Sequence, residues 1–315
     1  MNILVTGGAG FIGSHIVEYL LNHNVKFVRI LDNLFTGSKT NIDPFLEKYP
    51  NVEFMWGDIR DIETCRKACN NIDLVCHQAA LGSVPRSIDN PLDSHNVNVN
   101  GFFNILLAAK ENNIKRVVYA SSSAVYGDHT ALVKSESNVG KLLSPYGVTK
   151  CIDELYGHIF TKTYGLECIG LRYFNVFGPR QDPAGAYAAV IPKFISLILN
   201  GKSPTINGDG SYSRDFNFVD NVVHANILAL TTNNNACYGE VFNVGTNNTV
   251  SINQLVDKIN KITGNQCNPI YGPVRDGDIS LSNASIEKIS THLGYQPKVY
   301  FDQGLEKTID YFSKV

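Results

Sequence analysis

The sequence predicts an α/β protein, a doubly wound (Rossmann) parallel sheet with a smaller C-terminal α/β substrate domain. Three observations predict it. Short apolar runs alternate with longer helical segments through the first half of the chain, a glycine-rich turn follows the first run, and the alternation loosens after about residue 175. With 315 residues and 34.7 kDa the chain is long enough for one large domain or two modest ones. Residues 1–175 with about 212–247 are expected to form the first domain, and about 176–211 with 248–315 the second.

Apolar runs at 2–6 (NILVT), 26–31 (KFVRIL), 52–56 (VEFMW), 72–77, 114–120 (IKRVVYA) and 166–173 (LECIGLRY) have the length and β-branched content of buried strands. Helical segments at 12–23, 95–113 and 146–164 lie between them, and strand–helix repetition implies a parallel sheet covered on both faces. Such a sheet binds ligands at the carboxyl ends of its strands. Beyond residue 175, a loop with Pro179, Pro183 and Gly185 precedes a helix near 188–200. "RDFNFVDNVVHANILALTT" then reads as a short strand and a helix, "EVFNVG" as a strand and 251–262 as a helix. "NNNACYG" at 233–239 reads as a surface loop.

Composition narrows the function. Hydrophobic residues make up 43%, charged residues 18%, and the formal net charge is −2 without a basic run. Nucleic acid and anionic membrane surfaces therefore have no electrostatic support as partners. No apolar stretch approaches the ~18 residues of a membrane span. The first residues already read as a strand, so no cleaved signal peptide is expected. The seven cysteines are scattered without Cys-x-x-Cys spacing, and Cys65 and Cys69, one helical turn apart, read as core thiols rather than metal ligands. A soluble cytoplasmic protein without a metal is the expectation.

The turn "TGGAGFIG" places Gly7, Gly10 and Gly13 between a strand and a helix that opens with Phe11 and Ile12. The spacing alone is a weak signal. With Asp32 ending the second strand nineteen residues past Gly13, it becomes the dinucleotide pattern: glycines let a pyrophosphate approach the backbone, and the helix N-terminus stabilises its charge. Asp32 would accept hydrogen bonds from ribose hydroxyls and repel a 2′-phosphate, favouring NAD over NADP. "GDIRD" after the third strand puts Asp58 and Ile59 by the adenine, and "HQAA" after the fourth lets Ala79 and Ala80 pass close to the cofactor. Asn33 and Tyr173 complete the expected cofactor set. The bland alternative is a glycine turn with a solvated aspartate and ordinary turn chemistry.

"SPYGVTK" supplies the chemistry. Of fifteen tyrosines, Tyr146 alone has a lysine four residues later, and on a helix Lys150 shares its face. A phenol titrates near pH 10 and is a poor base near neutrality. A cation at ~4 Å supplies on the order of 4 kcal/mol at an effective dielectric of ~20, before desolvation is subtracted. The ~3-unit shift of a neutral-pH base therefore calls for lysine together with a positive nicotinamide ring rather than lysine alone. The "SSS" of "ASSSAVYG" ends the fifth strand and provides candidate partner hydroxyls, although a lone triple serine would read as a polar turn.

"TGGAGFIG", "SSSAVYG", "SPYGVTK" and "RYFNVFGP" together resemble the extended short-chain dehydrogenase/reductase family over the length of the chain. Within it, "GSVPRSI", "YGDH", "GAYAAVIPKF", "INGDGSYSRDF" and "GDIS" resemble the UDP-N-acetylglucosamine 4-epimerases. The resemblance implies Tyr146 as base, Lys150 as its cation and Ser122, with Ser123 the nearest alternative, as the partner hydroxyl. Where the dehydratase branch has Asp-Glu after that hydroxyl, this chain has Ser123 and Ala124, which argues against a dehydratase.

The resemblance also implies NAD-dependent 4-epimerisation of a UDP-sugar, UDP-GlcNAc to UDP-GalNAc. It places Asn175, Arg214 and Arg275 at the phosphates, Ala189, Val190, Lys193 and Phe194 beside the uracil, and Asp278 at a ribose. Asn207 joins the expected substrate contacts, and Gly82, Ser83 and Gln181 would face the sugar. Ser282 stands where relatives restricted to plain hexoses have a tyrosine, leaving room for an acetamido group. Ser280 and Leu281 replace residues that are usually basic. UDP-glucose or UDP-glucuronate epimerisation, with Arg86 the nearest candidate for a carboxylate, and a non-catalytic NAD-sensing protein are the alternatives. A homodimer through helices 95–113 and 146–164 is implied as well.

Overall fold

A computed structural model describes residues 1–185, 187–274 and 281–314, with Leu281 described in its backbone alone. Its main sheet has seven strands, numbered here within that sheet: β1 (Asn2–Thr6), β2 (Phe27–Asp32), β3 (Val52–Trp56), β4 (Leu74–His77), β5 (Arg116–Ser122), β6 (Glu167–Tyr173) and β7 (Val241–Val244). They lie in the order β3-β2-β1-β4-β5-β6-β7, and every neighbouring pair is parallel. The winding direction reverses between β1 and β4, which opens a crevice at the carboxyl ends of those strands.

Period-two alternation assigns the strand residues to two cores. Ile3, Val5, Val28 and Ile30 pack on one side with the helices Phe11–Asn22 and Val219–Thr231. Leu4, Leu31, Val75 and Val117 pack on the other with Ile62–Cys69, Gly101–Glu111 and Pro145–Tyr164. Both faces are covered, so the strands read as continuous apolar runs. Cys65 and Cys69 are fully buried in the second core, and burial pushes both thiols up to about 12.

Local signals account for the catalytic helix. Ser144 caps it by accepting from the Gly147 N–H at 3.1 Å, Pro145 occupies its first position, and Gly165 ends it at φ +73°. The helix expected over 95–113 differs in detail: it is built from Pro91–His95, a π-helical segment at Asn96–Asn100 and Gly101–Glu111. The wide turn carries Asn98 inward, where its side chain bonds both backbone groups of Leu81 and the Thr149 hydroxyl.

The smaller lobe packs Val190–Leu199, Ile252–Thr263 and Phe301–Phe312 around Phe177, Phe194, Phe216 and Phe218. A four-stranded sheet joins Val250–Ser251, Ser213–Arg214, Leu281–Ala284 and Val133–Lys134. The first half of the chain thus contributes a strand to the second lobe.

Candidate active site

The turn after β1 is packed too tightly for side chains. A Cβ on Gly7, at φ +67°, would stand 2.6 Å from the Ala79 nitrogen, and one on Gly13 would stand 2.1 Å from the Gly7 carbonyl oxygen. The following helix starts at Gly10 with no side-chain cap and no acidic residue in its first turn, so its leading N–H groups suit an anion. At the end of β2, Asp32 accepts from the Ala9 N–H at 3.0 Å and the Leu34 N–H at 2.8 Å. Burial raises its carboxyl pKa against those two bonds. The Asn33 amide donates to Asp58 at 2.9 Å, and hydrogen bonding from Arg60 holds Asp58 down to about 2. A glycine-rich turn, an uncapped helix and a carboxylate after β2 are what a dinucleotide with free ribose hydroxyls requires, and these residues fit NAD.

A cavity of about 950 Å³ opens over the crevice and is lined by every residue of the expected cofactor set together with Ser122, Ser123, Tyr146 and Lys150. A second cavity of about 1110 Å³ also meets Gly82, Ser83, Gln181 and Ala189. The Tyr146 backbone N–H donates to the Ser87 hydroxyl at 3.0 Å, and its own hydroxyl lies 3.9 Å from where a Cβ on Gly82 would stand. Among the three serines, Ser121 donates to Glu154 at 2.5 Å and is buried, whereas Ser122 begins a short 3₁₀ turn by accepting from the Ala124 N–H at 3.1 Å. Ser122 and Ser123 therefore remain as the candidate hydroxyls.

Lys150 is buried at the cleft floor and donates to the Ala120 carbonyl and to Asp153 Oδ2, both at 3.0 Å. Burial pulls the ammonium down, and the adjacent Asp153 carboxylate, with smaller contributions from Tyr146 and Glu154, raises it overall. Burial pushes Asp153 up to about 7 against the attraction of the lysine. Behind them His77 meets the Thr6 hydroxyl at 2.8 Å through Nδ1, while its Nε2 is buried without a partner. Burial holds its imidazole down to about 3, hence neutral near pH 7. Tyr173 donates to Gln78 at 3.0 Å and accepts from Asn226 at 2.8 Å, so its ring wall is fixed.

On the facing side Asn175, Gln181, Ala189, Arg214 and Ser282 line the cleft. Asn175 sits at φ +24°, a backbone state that asparagine tolerates, and donates to the Asp215 carbonyl at 3.1 Å. Arg214 is in register with Ser282, and the Asp215 N–H donates to the Ser282 carbonyl at 2.8 Å. Other expected contacts do not reach this lining. Phe194 is buried in the lobe core and Val190 packs against that core, because both lie on the helix face that covers it. Lys193 and Asn207 are exposed outside both cavity linings. Arg275, Asp278 and Ser280 lie outside the described residues.

Comparison with known proteins matches residues 3–245 to the model of the NAD dependent epimerase/dehydratase family. The chain belongs to this family. Its cofactor is accordingly NAD. A putative UDP-glucose 4-epimerase of Methanocaldococcus jannaschii is 40% identical over 98% of this chain and 97% of its own length. A solved UDP-N-acetylglucosamine 4-epimerase from Methanobrevibacter ruminantium M1, in complex with UDP-N-acetylmuramic acid, is 41% identical with a TM-score of 0.93, covering 99% of this chain and 98% of that one. A UDP-glucuronic acid 4-epimerase from Bacillus cereus, solved with UDP-glucuronic acid and NAD, is 34% identical with a TM-score of 0.92, covering 100% and 99%.

For a member of the NAD dependent epimerase/dehydratase family, the residues missed by sequence reasoning are those that hold the lining in place. Asp153, His77, Gln78 and Asp215 hold Lys150, the floor, Tyr173 and the Ser282 strand respectively. Lys-x-x-Asp on one helix face was a usable signal for the first; the others depend on contacts distant in sequence. Among the described residues, no helix is long and apolar enough to cross a membrane, and no group of three acidic, histidine or cysteine residues could hold a metal.

Proposed function

We propose that this NAD-dependent UDP-sugar 4-epimerase interconverts UDP-GlcNAc and UDP-GalNAc. The observation that carries the substrate is Ser282, a small side chain on the cleft wall next to Arg214. It leaves volume where a tyrosine would fill the place of a 2-acetamido group.

Tyr146 accepts the proton of the sugar 4-hydroxyl, with Ser122 hydrogen-bonded to the same oxygen and Ser123 the alternative. Lys150 stabilises the phenolate form by its charge. Bound NAD supplies the hydride acceptor for C4 and the donor for its return. Tyr146 then gives its proton back to the 4-oxygen of the turned sugar, so the protein ends the cycle as it began. Turning needs a loose sugar site, which the absence of a side chain on Gly82 favours. It also needs a firm nucleotide grip, assigned to Arg214 and Asn175 with Arg275 and Asp278; a guanidinium fork suits a diphosphate. Ile159, Leu155 and Val148 on Pro145–Tyr164 are 49%, 63% and 41% exposed, and we assign them to a homodimer contact with the helical segment near 95–113.

Arg86, the candidate for binding a uronate carboxylate, is stacked between the rings of Phe35 and Tyr187, with its guanidinium carbon 5.8 and 5.1 Å from their centroids. Tyr146 and Lys150 on one cleft floor favour turnover over mere NAD sensing.

Chromatography of the protein with UDP-GlcNAc, UDP-glucose and UDP-glucuronate in separate reactions tests the reading. UDP-GlcNAc should convert fastest, and Ser282→Tyr should cut that rate by at least about tenfold, ~1.4 kcal/mol, while sparing UDP-glucose. Faster conversion of UDP-glucose or UDP-glucuronate by the unaltered protein would refute it.

A further inference from the structure

Lys150 and Asp153 form an ion pair with side chains 2% and 1% exposed. The lysine has three N–H donors. Two are used, on Ala120 and Asp153, which leaves one for the cleft that Lys150 lines. Asp153 is less economical: its Oδ1 is buried with no hydrogen-bond partner. A carboxylate held this way costs more desolvation than a neutral acceptor would, and a neutral acceptor could satisfy the same lysine proton. What the carboxylate adds is charge.

Among the groups that favour the charged form of Lys150, Asp153 acts most strongly, ahead of Tyr146 and Glu154. Glu154, next along the helix, is gripped by Arg172 of β6 through two bonds at 2.8 Å and by Ser121 of β5. His77 of β4 is buried and neutral near pH 7, and Tyr119 of β5 is held in its un-ionised form by burial and by the acidic groups near it. Tyr146, one turn ahead on the same helix, is the remaining titratable group that faces the lysine. Without a counter-ion, an ammonium this deeply buried would give up its proton more readily.

We propose that Asp153 is a positioning residue for the proton transfer: its carboxylate keeps Lys150 charged and aimed into the cleft, and thereby sets the pH range over which Tyr146 works. The proposal rests on the reading of Tyr146 as the base.

Asp153→Asn keeps the size and an acceptor oxygen but removes the charge. The expected result is an alkaline limb of the kcat profile displaced downward by about one pH unit or more, with KM for the UDP-sugar little changed. A second readout needs no turnover. In protein carrying isotope-labelled lysine, the ε-carbon resonance of Lys150, assigned by its loss in Lys150→Met, should titrate at least about one pH unit lower in Asp153→Asn. An unchanged resonance and an unchanged alkaline limb would show a purely structural pair and overturn the proposal. If Asp153→Asn does not fold, Asp153→Ser is read in the same two ways; if neither folds, the role is structural and the proposal also falls. A displaced lysine titration alongside full turnover by Tyr146→Phe would instead remove the base assignment and leave the counter-ion standing.

Discussion

The two walls of the cleft are built from different material. The cofactor wall is mostly backbone: glycines at 7 and 13 whose Cβ atoms would meet neighbouring main chain, and a helix with its first N–H groups uncapped. The facing wall is side chains, Arg214 and Ser282 on the very short strands Ser213–Arg214 and Leu281–Ala284, which Asp215 holds from behind, and Asn175, Gln181 and Ala189 on connecting segments. A backbone cradle tolerates few substitutions and recognises what all its cofactors share, a pyrophosphate. A side-chain wall can be changed residue by residue without disturbing the sheet. Relatives named for glucose, N-acetylglucosamine and glucuronic acid substrates share this architecture, as that division of labour would have it.

Tyr146→Phe, at the junction of the walls, carries the largest expected effect. Losing the general base should lower kcat by about 10²–10⁴-fold while the bound NAD content stays that of the parent protein. Turnover at the parental rate, followed by chromatography of the sugar nucleotides, would contradict the assignment.

Asp215→Ala separates the walls. Asp215 is fully buried and accepts from the Thr246 N–H and hydroxyl, the Asn247 N–H and the Ala284 N–H, at 2.7–3.2 Å. Removing it strands several buried donors and should cost about 3 kcal/mol or more in urea unfolding. KM for the UDP-sugar should rise, whereas NAD affinity should hold.

His77→Gln probes the floor of the cleft and carries the smallest effect at neutral pH. Burial depresses the folded imidazole from 6.5 to about 3. The unfolded chain therefore binds a proton that the folded one does not between those values. Stability is fully present above about pH 6.5 and falls as pH drops through the window, by up to about 1.4 kcal/mol per pH unit. Asp153, raised by burial to about 7, slopes the opposite way, losing stability as pH rises from 3.8. The comparison is therefore the difference between the parent protein and the variant, and His77→Gln should flatten the acid-side decline in thermal midpoint.

Legibility in the sequence followed the range of the interactions. Each of the six apolar runs in the first half became a strand of the main sheet, and "EVFNVG" became its edge strand β7. The helix at 146–164 was readable because Ser144, Pro145 and Gly165 mark its ends. The segment at 95–113 was readable as helical but not as interrupted, since its π-turn depends on Asn98 reaching Leu81 and Thr149. Resemblance alone placed Val190 and Phe194 beside a uracil, and the packing of their side chains against the lobe core was not legible in the sequence.

By itself the sequence determined the sheet order's raw material, the glycine turn, Asp32 after β2 and the Tyr146–Lys150 face. Chain-local geometry sets all of these: period-two and period-3.6 patterning, capping and the conformational freedom of glycine. Tertiary structure decided that Ser121 spends its proton on Glu154, that Asp153 pairs with Lys150, and that Asp215 ties Ser282 and Arg214 into one wall. Those contacts join distant segments or depend on burial, and the energy of a charge or hydrogen bond follows from what surrounds it once the chain is packed.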